Sequence, residues 1–201
     1  MTARTTTRRS AAVLLGACLL AVGATACGPD NTVSTSPKST AAAAPAGGAA
    51  SSAPAAGDAG KGTVAKLGDT IGLKGNDKAN TADVTLVKVV DNAEGNDEFT
   101  KPADGKRFVS VQFRIKATGK AAYSDAPQNS AKLIDVQGQA FGATVAETKA
   151  GPEFQVPANI APGESALGFI TFEVPADAKL DKAQFALDSD FAPQTGQWKL
   201  G

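Results

Sequence analysis

Apolar and polar residues alternate along several stretches of the chain after residue 66. In the segment 107–117, Val109, Val111, Phe113 and Ile115 fall on one face and polar residues separate them. A period of two residues predicts a half-buried antiparallel strand. The same pattern predicts further strands at 67–71, 84–90, 133–136, 168–174, 183–187 and 197–200.

Turn-forming residues separate these predicted strands. They include Gly75-Asn76-Asp77, Asp104-Gly105, Gln137-Gly138 and Ala161-Pro162-Gly163. Seven short strands between such turns predict an all-β fold. Their uneven spacing, with long loops near 91–104 and 137–160, favours an antiparallel β-sandwich over an up-and-down barrel. Within 84–90 the alternation places Lys88 on the same face as Leu86.

The order of the motifs resembles a known family. The motifs are Gly68-Asp69-Thr70, Gly105–Val111, Gln137–Phe141, Ile160–Ser165 and Gly168–Pro175, followed by Trp198. This order resembles the immunoglobulin-like extracytoplasmic domain of Gram-positive lipoproteins, a domain similar in fold to a secreted immunogenic antigen of mycobacteria. The resemblance covers about residues 64–201. It implies an immunoglobulin-like β-sandwich at the cell surface with a binding or structural role.

The first 26 residues have the pattern of a secretory signal. Arg4, Arg8 and Arg9 precede an apolar run from Ala11 to Ala24. A basic head, a short apolar run and a small-residue exit are typical of a signal peptide. The run is shorter than the roughly 20 residues that a membrane span needs. We therefore predict a signal peptide at 1–26.

A cysteine directly follows the predicted signal. The sequence Ala24-Thr25-Ala26-Cys27 resembles the bacterial lipobox, whose cysteine becomes the first mature residue and carries a lipid on its sulfur. We therefore predict lipidation of Cys27. Cleavage at Cys18, ordinary signal cleavage with secretion, and a disulfide between Cys18 and Cys27 remain as alternatives.

The composition changes again after the cysteine. Of the 30 residues from Asn31 to Gly60, 26 are Ala, Gly, Ser, Thr or Pro, and none is aromatic. Such a segment buries too little apolar surface to offset its ordering entropy. We predict a disordered tether at 27–61, with an end-to-end distance of roughly 30 Å. The folded domain is then predicted at 62–201, which contains every aromatic residue.

Charge and composition exclude several classes of function. The chain has 20 basic residues, 20 acidic residues and no histidine. Without a basic surplus, no nucleic-acid partner is expected. Without histidine there is no Ser-His-Asp triad and no imidazole metal site, and two cysteines cannot form a four-cysteine zinc site. We expect no cofactor and no enzymatic activity.

One loop has residues suited to a metal ion. Asp91, Glu94, Asp97 and Glu98 lie within eight residues, and their carboxylates are the ligand type that Ca²⁺ prefers. Their spacing does not match an EF-hand, and a solvated acidic loop is the alternative.

Four aromatic residues lie at predicted strand starts or in loops: Phe108, Tyr123, Phe154 and Phe191. They are expected to close the ends of the sandwich, with an exposed patch for a partner as the alternative.

These features predict a monomeric lipoprotein on the outer face of the cytoplasmic membrane. A lipid on Cys27 is expected to anchor the immunoglobulin-like domain, which binds protein or cell-envelope material without catalysis. The alternative function is binding of a small molecule or an ion by the loops at 91–104 and 137–160. The alternative location is secretion into the medium.

Overall fold

The strands form two facing sheets and one short ribbon. The computed structural model describes residues 32–38 and 64–201. The elements are β1 (Thr32–Ser34), β2 (Thr70–Lys74), β3 (Thr81–Asp91), β4 (Lys106–Ala117), β5 (Tyr123–Asp125), α1 (Pro127–Ser130), β6 (Ala131–Asp135), β7 (Ala140–Gly142), β8 (Ala158–Ile160), β9 (Ser165–Pro175), β10 (Leu180–Ala186) and β11 (Gln194–Lys199). In these residues no helix is long and apolar enough to cross a membrane.

Nearly all neighbouring strands are antiparallel. One sheet has the order β1-β11-β10-β6-β7, the other has the order β2-β3-β4-β9, and β5 pairs with β8. Among the strands of residues 32–38 and 64–201, only β1 runs parallel to its partner, β11. The predicted all-β, immunoglobulin-like sandwich is confirmed.

The core lies between the two sheets. The Phe113 ring on β4 approaches the Phe185 ring on β10, with centroids 5.3 Å apart, and the Trp198 ring on β11, at 6.0 Å. All three side chains are fully buried. The indole Nε1 of Trp198 donates a hydrogen bond of 2.9 Å to the carbonyl oxygen of Asp69, which satisfies the one polar group of this buried ring.

Two local predictions are wrong. The strand expected at 67–71 begins at Thr70 instead, because Gly68 takes a φ of +91° and turns the chain first. Lys88 is exposed rather than on the face of Leu86. The pairing of β3 with β4 shifts register between these two residues, and such a bulge moves the following side chains to the opposite face.

Strand β1 lies inside the range that the composition assigns to the tether. Its three residues pair with Gln194, Thr195 and Gly196 of β11. The pairing is made by the backbone, and Val33 remains exposed, so side-chain composition gives no signal for it. The signal peptide, Cys18, Cys27 and the rest of the predicted tether lie outside the described residues.

Candidate functional site

The turns between strands gather at the two ends of the sandwich. The end named here the Phe191 end is formed by the turns 75–80, 118–122, 161–164 and 187–193. The opposite end, named the acidic end, is formed by the segments 91–106, 136–139 and 175–179. Of the two, only the acidic end includes the loop with the predicted metal ligands.

The four predicted metal ligands do not converge. Asp91 forms an ion pair with Arg107 at 2.6 Å, and Glu94 pairs with Lys149 at 3.0 Å. Glu98 is exposed. In residues 32–38 and 64–201, no group of three His, Cys, Asp or Glu side chains is arranged to hold a metal ion.

Asp97 has a structural role in its own loop. Its Oδ1 accepts hydrogen bonds from the backbone amides of Thr100 at 2.8 Å and Phe99 at 2.9 Å. The hydrogen bonds from Thr100, and then the one from Phe99, hold the pKa of Asp97 below its usual value. These contacts keep the loop tight before Phe99.

The acidic loop joins the second long loop. The amide of Asn96 donates to the carbonyl of Glu147, and the amide of Lys149 donates to the carbonyl of Glu94, both at 2.9 Å. Gly95 is required at this junction, because a Cβ there would lie 1.8 Å from the carbonyl oxygen of Thr100. The two loops thus form one cover over the outer face of β4 and β9.

Hydroxyl groups lie buried beneath this cover. Ser110 Oγ is 2.8 Å from Thr148 Oγ1 and 3.1 Å from Thr171 Oγ1. Thr171 also donates to a carboxylate oxygen of Glu153 at 3.3 Å. Ser110 therefore contacts two hydroxyls rather than a general base, and its geometry is that of a packing contact rather than an activated nucleophile.

Glu153 is the titratable group beside this cluster. Burial raises the pKa of its carboxyl, the hydrogen bond from Thr171 partly opposes this, and the charge of Glu147 adds to the increase. Glu153 lines a shallow groove of about 530 Å³, here named the Glu153 groove, together with Glu147, Lys149, Pro152 and Gln155.

A second groove is lined by two strongly exposed apolar side chains. It encloses about 420 Å³ and is named the Phe99 groove. Phe99, from the acidic loop, is 86% exposed, and Val145, from the other long loop, is fully exposed. Asp97, Lys101 and Glu147 also line this groove, which therefore combines two apolar side chains with a surplus of carboxylates.

The four aromatic residues chosen from the sequence have different environments. Phe108, Tyr123 and Phe154 are buried, whereas Phe191 is 82% exposed. Phe108 packs with Ala93 and Ala146 under the two loops. Phe99 was missed as a candidate, although a lone aromatic residue within an acidic loop is a usable signal.

A family model described as a domain of unknown function (DUF4352) matches residues 74–194, more than half of the chain. No curated protein resembles the chain closely enough to count as a match.

Several solved structures resemble the chain, and three of them illustrate the likeness. YcdA of Bacillus subtilis, a candidate lipoprotein, has 16% identity and a TM-score of 0.49, with 65% of this chain and 38% of YcdA covered. The secreted protein MPT63 of Mycobacterium tuberculosis has 14% identity and a TM-score of 0.48, with coverage of 67% and 94%. YjhA of Bacillus subtilis has 14% identity and a TM-score of 0.47, with coverage of 69% and 100%. The chain thus spans little more than a third of the length of YcdA.

Proposed function

The chain belongs to the DUF4352 family, and from that premise we propose that it is a non-catalytic binding module displayed on the outer face of the cytoplasmic membrane. A lipid on Cys27 anchors it there, and the Phe99 groove binds a protein of the cell envelope. The anchor is supported by the signal-like residues 1–26 and the small residues before Cys27.

The observation that carries the binding proposal is the shared position of Phe99 and Val145. They come from different loops, yet both line the same groove and both are exposed. An aromatic and an aliphatic side chain held together at a surface are suited to anchor a protein partner. The contacts between Asn96 and Glu147 and between Glu94 and Lys149 hold the two loops in place, which reduces the ordering cost of binding.

The charge around the groove indicates the chemistry of the partner. Asp97, Glu147 and Glu173 line it together with Lys101. Glu173 is paired with Lys106, so the carboxylates exceed the lysines beside the groove by one. A partner surface that offers an apolar side chain flanked by Lys or Arg would complement both features.

A cross-linking experiment in the native host tests the binding proposal. A photoreactive residue in place of Thr144, which lines the groove, should cross-link to one envelope protein. Phe99→Ser should abolish that cross-link, because it removes the aromatic anchor. The control is Leu167→Ser, an apolar residue on β9 that is 48% exposed and does not line the groove, which should leave the cross-link intact. Equal cross-linking in the Phe99→Ser variant would overturn the proposal.

Fractionation tests the anchor. The wild-type protein should be found in the membrane fraction, and Cys27→Ser should appear in the medium. A Cys27→Ser protein that remains with the membrane would contradict the lipid anchor.

One observation favours the second candidate function, binding of a small molecule. Glu153 combines a raised pKa with a position in the larger groove, and ligand sites often place such a perturbed group in a concave surface. A thermal-shift screen of envelope fragments should then detect a compound that stabilises the wild type but not Glu153→Gln. Stabilisation of neither protein would argue against this function.

A further inference from the structure

The segment 32–38 is attached to the domain along its length. The amide of Thr32 donates to the carbonyl of Pro193 at 2.8 Å, and the carbonyl of Thr35 accepts from Ala65 at 2.7 Å. The amide of Lys38 donates to the carbonyl of Thr70 at 2.6 Å. Its Nζ also pairs with Asp83 at 2.6 Å. The segment therefore crosses from the edge of one sheet to the edge of the other.

This attachment limits the reach of the chain that carries the lipid. Four residues, 28–31, separate Cys27 from Thr32. An extended chain spans at most about 3.6 Å per residue, so Cys27 lies within about 18 Å of Thr32, the first residue of β1. Lys38 and Ala65, on either side of residues 39–63, both make hydrogen bonds within the described part of the chain, so the length of 39–63 adds nothing to the distance between Cys27 and β1.

The direction of β1 determines which end of the sandwich is close to the lipid. Because β1 is parallel to β11, with Thr32 opposite Gln194, the chain enters at the Phe191 end. Phe191 lies in the turn just before β11, two residues from the carbonyl that Thr32 contacts. The exposed aromatic ring and the predicted lipid are thus at the same end.

The turn before Phe191 has a strained backbone that is stabilised by hydrogen bonds to Asp125. Asp188, Ser189 and Asp190 have φ values of 56°, 54° and 73°, in the left-handed region that costs a non-glycine residue energy. Asp125 accepts hydrogen bonds from the amide of Ser189 at 2.8 Å and from its hydroxyl at 2.5 Å. These contacts keep the turn in a conformation that leaves Phe191 exposed.

Contacts from a neighbouring turn fix the same loop. Asp188 accepts hydrogen bonds of 2.6 Å from the amide of Asn76 and from the side chain of Asn80. The side-chain amide of Asn76 also donates to the carbonyl of Phe191 at 3.2 Å. The loop that exposes Phe191 is therefore held in one conformation by these hydrogen bonds.

We infer that the Phe191 end is a membrane-docking surface, and that Phe191 inserts into the interfacial layer of the bilayer beside the lipid on Cys27. The inference rests on the lipid anchor proposed above. Exposed apolar side chains such as Phe become buried at the boundary between the headgroups and the acyl chains.

In the turns of the Phe191 end the exposed carboxylates of Asp77 and Glu164 are balanced by Lys78 and Lys120. The acidic end, with exposed Asp97 and Glu98, would be repelled by anionic lipid and points outward. Strand β4 has 12 residues and spans about 40 Å from one end of the sandwich to the other. The acidic end would therefore lie about that far from the membrane.

Fluorescence on the full-length lipidated protein tests the docking. In the mature protein the lipid blocks the Cys27 thiol, so a cysteine in place of Phe191 can be labelled alone with an environment-sensitive dye. On vesicles of phosphatidylglycerol and phosphatidylcholine, the dye at 191 should shift to shorter wavelength and be quenched by spin-labelled lipid. The matched control is the same dye in Phe99→Cys, another exposed phenylalanine, which should remain in water.

The outcomes separate the two proposals. If the protein binds vesicles but the dye at 191 stays in water, the docking inference is wrong and the anchor stands. If the protein with an intact Cys27 does not associate with membranes, the anchor itself fails, and the docking inference fails with it.

A second variant tests the role of residues 39–63. Energy transfer from the dye at position 99 to an acceptor in the bilayer measures the height of the acidic end. Deletion of 45–57 should leave the transfer efficiency unchanged, because the segment does not lie between the lipid and the domain. Increased transfer after the deletion would mean that the segment acts as a spacer, and would overturn the inference.

Discussion

The backbone amide of Thr32 donates a hydrogen bond to the carbonyl oxygen of Pro193, and this bond joins the first strand that the structure describes to the residue directly before the last strand. Since amides alternate in direction along a strand, the amide of Val33 faces away from β11. The two neighbouring residues therefore offer a matched pair of variants.

We expect Thr32→Pro to weaken the attachment of β1, because proline has no amide to donate. The free energy of unfolding should fall by about 1 kcal/mol, and the amide of Ser34 should exchange faster with deuterium. Val33→Pro should change both quantities little, since proline is tolerated where a strand edge faces solvent. Equal effects of the two prolines would contradict the described pairing.

Asp125→Ala should destabilise the domain by about 1–3 kcal/mol in urea denaturation. The carboxylate accepts hydrogen bonds from Ala126, Ser130 and Ser189, and its removal leaves those donors without a partner. Ser189→Ala removes the hydroxyl contact alone and should cost clearly less. If the two variants were equally stable, Asp125 would not be the support of the turn.

Phe113→Ala should lower the free energy of unfolding by about 3–5 kcal/mol, because the ring lies between both sheets and its loss leaves a cavity. Phe99→Ala should change it by no more than about 0.5 kcal/mol, since that side chain is exposed. Chemical denaturation of both variants measures the difference. A large loss of stability in Phe99→Ala would mean that this residue serves the fold rather than a partner.

Two glutamates should affect the pH dependence of stability in opposite directions. Burial raises the pKa of Glu153 in the folded protein. The folded state then holds its proton more tightly than the unfolded state, so this group lowers stability as pH rises from its ordinary pKa of 4.5 through the folded value. Glu153→Gln should therefore be more stable than the wild type at pH 7, and the gain should disappear below about pH 4.

Glu173 has the opposite shift. Hydrogen bonds from Lys106 and then from the Ala103 amide lower the pKa of Glu173, so its contribution is present above pH 4.5 and is lost as pH falls through the folded value. Glu173→Gln should be less stable than the wild type at pH 7 and equal to it in strong acid. Thermal unfolding across this pH range measures both effects, and the same sign for both variants would refute the assignment.

Calcium should leave the unfolding temperature unchanged, and a calorimetric titration should show no binding heat. Asp91 and Glu94 are paired with Arg107 and Lys149, so the acidic loop has no convergent set of carboxylates to replace water around the ion. A saturable heat that Asp97→Asn removes would show that the loop rearranges to bind the metal.

The alternation of apolar residues predicted the long strands because each buries one face. In β4, Val111, Phe113 and Ile115 point inward as expected. The short strands were not predicted, since β1, β5, β7 and β8 have three residues each and a period of two needs a longer run to be visible.

The candidate site was only partly visible in the sequence. The sequence indicated a possible binding site in the loops at 91–104 and 137–160 but gave no sign that Gly95 and Thr148 would pair. Contacts between residues so distant in the chain depend on the sheets that bring them together. The acidic residues were visible as a cluster in the sequence. However, Asp91 and Glu94 form ion pairs with Arg107 and Lys149, which lie in other segments and cannot be identified from the local spacing.

The pairing of β1 with β11 also determines when this edge of the sheet can form during export, because both strands must be present. A chain that leaves the cytoplasm from its N-terminus delivers β1 well before β11, so this edge of the sheet stays open until β11 has been translocated. Because contacts of large sequence separation form slowly, the exposed edge is available to other strands in the interval. The chain is therefore most open to wrong pairing with other strands at that stage, before β1 and β11 meet.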